Sequence, residues 1–205
     1  MSKIKDAWIL TVITLVAGFL LGGVYELTKE PIAQQQIAAN AVAYQAVCPG
    51  AVEFKNDKKL TKAAEDAGML LEESQIDLGN VTVDDALYAY DDSGAVSGLV
   101  VKTTSKDGYG GNISIVVGIR QDESGITVTG IDYLEINETA GLGMKATEPA
   151  FTDQFKEKTV ESFELVKGGA SFDYQIDALS GATFTSEAVT NAVNAAVLFA
   201  DAWNE

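Results

Sequence analysis

The hydrophobic pattern changes period along the chain, and each change predicts a different element. No charged residue occurs from Ala7 through Tyr25. As a helix that stretch would extend roughly 28 Å, close to the hydrocarbon thickness of a bilayer, so it predicts a single transmembrane segment. From Pro31 to Val47 helix formers dominate, with Pro31 suited to a first turn and Pro49-Gly50 to a stop, which predicts a separate juxtamembrane helix. Residues 53–80 are charged and mixed, with a further helix expected around Lys58 to Leu71. From residue 86 the period is that of a strand. Leu87–Tyr90 and Ala95–Thr104 flank a turn at Asp91–Gly94; Ile113, Ile115, Val117 and Ile119 alternate with Ser114, Val116, Gly118 and Arg120; after Gln121–Gly125 comes Ile126–Ile136. This predicts an antiparallel meander. Helical spacing returns with Val189, Val193, Ala196, Ala200 and Trp203, which would lay one face of a helix from about Ser186 to Trp203 on that sheet. The expected class is α+β, divided into an N-terminal stretch (1–6), a transmembrane helix (7–25), a juxtamembrane helical region (26–80) and a sheet-and-helix body (81–205).

The flanks of the apolar stretch set its orientation. Lys3 and Lys5 precede it and Glu26, Lys29 and Glu30 follow it, which favours a cytoplasmic N-terminus and an outward-facing body. A cleaved signal peptide is the competing reading, but the apolar core runs into Gly22-Gly23-Val24-Tyr25-Glu26 with no small-x-small cleavage site. Trp8 and Tyr25 stand where an aromatic belt would place them, and Gly18-x-x-x-Gly22 has the spacing of helix-helix contacts in membranes.

Composition narrows the chemistry. A formal net charge of -16 excludes a general field that attracts nucleic acid or anionic lipid. The absence of histidine removes imidazole metal sites, histidine triads and histidine proton shuttles, and the single Cys48 removes an internal disulfide or a cysteine-ligated cluster. No metal-ligand set and no catalytic residue of its own is expected, so any redox chemistry would come from a cofactor. Cys48, in Ala-Val-Cys-Pro-Gly, reads as a small buried hydrophobe at a helix end.

The richest stretch is Asp177-Ala178-Leu179-Ser180-Gly181-Ala182-Thr183-Phe184-Thr185-Ser186, a small-residue turn entering the last helical pattern. Gly181 and Ala182 would let backbone approach a ligand, and Ser180, Thr183, Thr185 and Ser186 stand where the first amides of a helix favour an anion. Taken locally, Thr185 or Ser186 followed by Glu187 reads first as an ordinary helix cap, since caps far outnumber phosphate sites. Two further segments, Gly108-Tyr109-Gly110-Gly111-Asn112 and Glu138-Thr139-Ala140-Gly141-Leu142-Gly143-Met144-Lys145, would by themselves be loops.

The first of these stretches resembles the flavinylation motif Asp-x-x-(Ser/Thr)-Gly-Ala-(Ser/Thr) shared by RnfG proteins of Rnf complexes and NqrC proteins of sodium-pumping NADH:quinone reductases, with every specified position matched. The two glycine-rich segments resemble the loops that border the flavin in the same family, Ala140 standing where proline is common. The chain is similar to RnfG rather than NqrC, being short and without a large insertion. The resemblance implies FMN joined through its phosphate to Thr183 by a separate flavin transferase that recognises Asp177. It implies a cofactor site made by Ser180, Gly181, Ala182, Thr185, Ser186, Tyr109, Gly110, Glu138, Thr139, Gly141, Leu142, Gly143 and Met144, with Tyr109, Leu142 and Met144 against the ring. The implied role is electron transfer in an ion-translocating ferredoxin:NAD+ oxidoreductase of a bacterial or archaeal plasma membrane. Its partners would be the other membrane and redox proteins of that complex, one of them also flavinylated, and no nucleic acid. An NqrC-like flavoprotein, a stand-alone FMN carrier outside the cytoplasm, and a colourless structural or assembly protein of a membrane complex are the alternatives.

Overall fold

A computed structural model describes residues 2–74, 76–123 and 125–203. The side chains of residues 2–6, 25–30 and 33 lie outside that description, and with them the expectations placed on Lys3, Lys5, Tyr25, Glu26, Lys29 and Glu30. The chain forms two compact units, Met1–Ala41 and Val42–Glu205.

The first unit is helical, part of α1 (Ser2–Val47). The transmembrane and juxtamembrane helices expected as separate elements are therefore one, with Pro31 inside it. Proline in a helix interior costs about 3 kcal/mol, because it has no N–H to give to the carbonyl four residues back. Leu27, Lys29 and Glu30 before it and Ala33 to Gln36 after it are strong helix formers, and the helix continues through. Within α1, Ala7–Val24 is long and apolar enough to cross a membrane, and all of it is exposed. Its Thr11 and Thr14 hydroxyls donate to the carbonyls of Ala7 and Leu10 one turn back, at 2.9 and 3.0 Å, so these polar groups are satisfied within the helix.

The second unit is built on an antiparallel sheet of six strands in sequence order: β1 (Glu53–Lys55), β2 (Val81–Tyr90), β3 (Val96–Ser105), β4 (Ile113–Asp122), β5 (Gly125–Glu135) and β6 (Lys158–Thr159). The expected meander is β2 to β5. Helix α2 (Lys58–Glu73) begins at Asp57, whose carboxylate accepts from the amides of Lys59 and Leu60 at 2.8 and 3.2 Å, and it packs on β2. The body thus starts at Val42, well before residue 81, because β1 pairs with β2 and α2 buries Leu60, Ala64 and Ala67 in the common core.

One face of the sheet, carrying Val101, Ile113, Ile115, Val117, Ile119 and Val128, is covered by α4 (Thr183–Trp203) through Val189, Val193, Ala196 and Ala200, as the spacing predicts. Trp203, half-buried, donates its indole N–H to the Tyr88 hydroxyl at 3.0 Å. On the opposite face Val100 and Val116 are buried, and the end of α1 comes down with Tyr44 and Val47 buried. A side chain at Gly118 would strike the Val47 carbonyl, and the buried Thr129 hydroxyl donates to that same carbonyl.

Between β5 and α4 run a 3-10 turn (Gly143–Thr147), the short helix α3 (Pro149–Thr152) and β6, followed by a two-stranded parallel pair, β7 (Glu164–Val166) and β8 (Gln175–Asp177). The pair carries no sequence signal, since strands of three residues are too short to show a period. It delivers the chain from Asp177 directly into the turn that starts α4.

Candidate functional site

The turn from Ala178 to Ala182 is closed by its own residues. The Ala182 N–H donates to the Leu179 carbonyl at 3.0 Å, and Gly181 takes a φ of +78°, a conformation that side chains with a Cβ rarely adopt. Helix α4 opens at Thr183, three residues before the expected Ser186, because the Ser186 N–H already bonds the Ala182 carbonyl at 3.0 Å. The Ser186 hydroxyl is fully buried. It accepts from the Leu179 N–H at 2.9 Å and donates to the Ala182 carbonyl at 3.0 Å, so its role is to fold the turn. Thr183, by contrast, is exposed, and the amides of Thr183, Phe184 and Thr185 head the helix, where no carbonyl of α4 can reach them.

A cleft of about 410 Å³ opens beside this helix end, lined by Tyr109, Glu138, Thr139, Leu142, Gly143, Gly181, Ala182, Thr183, Phe184 and Thr185. Three segments far apart in sequence meet here: the loop between β3 and β4, the loop after β5, and the first turn of α4. The volume lies within the range of small-molecule sites, roughly 300–1,000 Å³. Larger clefts exist elsewhere on the body, among them one of about 540 Å³ around Gln154 and Phe172, but they contain none of the expected site residues.

Glu138 joins the two glycine-rich loops. Its carboxylate is buried and accepts the Gly110 N–H at 3.1 Å, and a Cβ on Gly143 would lie 2.7 Å from both its Oε2 and the Thr185 Oγ1. Glycine at 143 is therefore what allows the loop after β5 to close against the start of α4. That loop turns through a bond of 3.1 Å from the Leu142 N–H to the Thr139 carbonyl, with Ala140 inside the turn. The β3–β4 loop is held at its start by Asp107, which accepts from the backbone N–H of Asn80 at 2.6 Å and from its side-chain amide at 2.8 Å. These bonds hold the Asp107 carboxyl below the usual carboxylate range.

Of the residues expected at the site, Tyr109, Glu138, Thr139, Leu142, Gly143, Gly181, Ala182, Thr183 and Thr185 line the cleft. Ser180, Gly110, Gly141, Met144, Ser186 and Asp177 do not. Gly110 and Ser186 act as bonded supports, Met144 is half-buried in the 3-10 turn, and Ser180 and Gly141 are exposed. Asp177 is half-buried in β8. Its Oδ1 accepts from the Ala170 N–H at 2.9 Å and its own N–H donates to the Gln154 side chain at 2.7 Å. Phe184 was not expected, yet it lines the cleft with 67% of its surface exposed. A large apolar residue between two threonines, out of phase with the buried stripe of α4, was the signal that could have found it.

A cleft with an apolar rim, a hydroxyl at a helix N-terminus and a few inward polar groups defines a nucleotide-type cofactor site, and comparison with known proteins specifies it. Residues 108–198 match the model of the FMN-binding domain, and residues 1–47 match that of the RnfG N-terminal region. The G-type component of the Na(+)-translocating ferredoxin:NAD(+) oxidoreductase complex of Acetobacterium woodii is 35% identical over 197 residues, 94% of this chain and 89% of the relative. Its counterpart in the proton-translocating ferredoxin:NAD(+) oxidoreductase complex of Clostridium ljungdahlii is 32% identical over 190 residues, covering 92% and 86%. Among solved structures, NqrC of Shewanella oneidensis aligns over 64% of this chain and 68% of its own, with a TM-score of 0.52 and 25% identity. The chain belongs to the RnfG family, the G-type components of Rnf-type ion-translocating oxidoreductase complexes. The cleft residues lie wholly within the matched FMN-binding region, and they suit that group: a hydroxyl and helix-end amides for the phosphate, apolar side chains for the ring, and Glu138, Thr139 and Thr185 for its polar edge.

Proposed function

We propose that this chain carries FMN in phosphoester linkage to Thr183 and relays electrons within an Rnf-type ferredoxin:NAD+ oxidoreductase coupled to ion movement. The observation that carries the proposal is Thr183 itself, an exposed hydroxyl at the head of α4 on the wall of the cleft, in a stretch where Thr185 is buried and Ser186 is committed to the fold. The flavin, when bound, supplies the one- and two-electron chemistry. The chain supplies placement. Helix-end amides of α4 favour the phosphate's charge. Glu138 fixes the loop that presents Tyr109, and Leu142 closes the other side. An open cleft permits a redox partner to come close, and a covalent bond keeps the cofactor from being lost by dilution.

The anchor is Ala7–Tyr25, with the N-terminus in the cytoplasm and the FMN domain outside the plasma membrane. That span carries no charged residue, so ion transfer belongs to other proteins of the complex, one of them a second flavinylated one. The relatives' names differ in the translocated ion, and sodium and protons are both open to this complex. Attachment is the work of a flavin transferase reading the turn from Asp177 to Thr183. Identity to G-type relatives over nearly the whole chain supports this assignment over NqrC, whose likeness rests on the domain fold.

The test is denaturing electrophoresis of protein matured with its transferase. Yellow fluorescence should remain on the polypeptide, persist in Ser180→Ala and vanish in Thr183→Val. A colourless wild-type band would support a structural or assembly role instead.

A further inference from the structure

Phe184 is misplaced for folding. It occupies the first turn of α4 on the side shared with exposed Glu187 and half-buried Asn191, opposite the stripe of Val189, Val193, Ala196 and Ala200 that packs on the sheet. Phenylalanine is only a moderate helix former, and at 67% exposure it gains little from burial. Nor is it alone. Tyr109 is 75% exposed and Leu142 43% exposed, and all three line the same cleft from three different segments. Three large apolar side chains left open to water around one cleft mark a surface that a ligand covers. The ligand must be flat and largely apolar to meet two aromatic rings, with a polar edge to meet Glu138, Thr139 and Thr185.

Resting on the reading that FMN is joined to Thr183, we propose that Phe184 is a ring-contact residue: its phenyl face, beside the attachment point, covers one side of the tethered flavin ring. Tyr109 and Leu142 form the rest of the apolar lining. The arrangement explains why an aromatic follows the modified threonine directly. The tether brings the ring to the residue next in sequence, so a flat side chain there limits the orientations open to a cofactor attached through a flexible chain. The cleft remains open beyond Phe184, leaving an edge of the ring accessible to a redox partner.

The test uses the full-length chain matured with its flavin transferase, as wild type, Phe184→Ala and Phe184→Trp, with intact mass and flavin fluorescence measured on each. All three should carry the added FMN mass. The fluorescence lifetime of the attached flavin should fall several-fold in Phe184→Trp, where indole in contact quenches it, whereas tryptophan placed at the distant exposed Val52 should leave it unchanged. Quenching by acrylamide, a neutral probe, should become markedly stronger in Phe184→Ala, whose ring face is uncovered. Loaded variants with wild-type lifetime and wild-type acrylamide quenching would overturn the proposal. So would variants that fail to load beside a loaded wild type, because Phe184 would then serve the transferase rather than the ring. A wild type without added mass would instead reject the flavin reading on which the proposal rests.

Discussion

At the scale of single residues, the site depends on groups whose importance comes from what they leave out or hold still. Gly143 is the clearest case. A methyl group there would press on Glu138 Oε2 and Thr185 Oγ1 at 2.7 Å and on the Glu138 Cβ at 2.8 Å, and the Glu138 side chain is buried and held by the Gly110 N–H while Thr185 is buried. Gly143→Ala should therefore destabilise the body by about 1–3 kcal/mol, measured by urea unfolding, and disturb the Gly110 bond to Glu138. An unchanged midpoint with unchanged slope would show that the loop relaxes freely. The residues of the motif that were legible in the sequence were those whose type is demanded by geometry or chemistry: Gly181, Ala182 and Thr183. The division of labour among hydroxyls was not legible. Ser186 and Thr183 look alike in a sequence, and only the bonds from Leu179 and to Ala182 show that Ser186 is used up by the turn. Phe184 was missed because its neighbours drew attention as hydroxyls, although its period sets it apart.

At the scale of elements, the period-two pattern in β2 to β5 and the stripe on α4 were readable because each repeats over ten or more residues. The strands of two or three residues, β1 and β6 to β8, were not, since their pairing is decided by chain segments distant in sequence. Continuity of α1 past Pro31 was likewise hidden, because helix formers on both sides outweigh one lost bond. The join between the end of α1 and the sheet makes two predictions. Thr129→Val keeps shape but removes the hydroxyl donated to the Val47 carbonyl, and should cost about 1–2 kcal/mol in chemical unfolding. No loss would mean that the carbonyl is satisfied without it. Beside it, Cys48 is buried with its thiol 3.6 Å from the Leu99 carbonyl, and burial pushes its pKa up from 9.0 to about 11 despite the hydroxyl of Thr129. The folded state thus holds the thiol's proton where the unfolded chain releases it. Stability from this group is complete below pH 9 and is lost as pH rises towards about 11, a change on the order of 2–3 kcal/mol. Unfolding free energies of wild type and Cys48→Ala at pH 8 and pH 10.5 should differ in slope accordingly; parallel pH dependence would rule the buried thiol out as the cause.

At the scale of the whole molecule, the chain combines a long apolar helix, an acidic body and an open cofactor cleft. The net charge of -16 and the absence of histidine leave the body no proton shuttle of the imidazole type, and the described residues contain no cluster of three or more potential metal ligands. Chemistry is thereby concentrated in one small region, where segments from three parts of the sheet-and-helix body meet at the head of α4. Membership in the RnfG family accounts for an FMN-binding domain in a chain whose relatives are components of ion-translocating oxidoreductase complexes. Thr183 is the point on which that account turns. The most direct measurement is the intact mass of the full-length protein purified from membranes after maturation with its flavin transferase, compared with Thr183→Val. The account predicts the mass of one FMN added to the first, localised by peptide fragmentation to Thr183, and the bare polypeptide mass for the second. An unmodified wild-type chain, or one modified at Thr185 or Ser180 and unaffected by Thr183→Val, would contradict it.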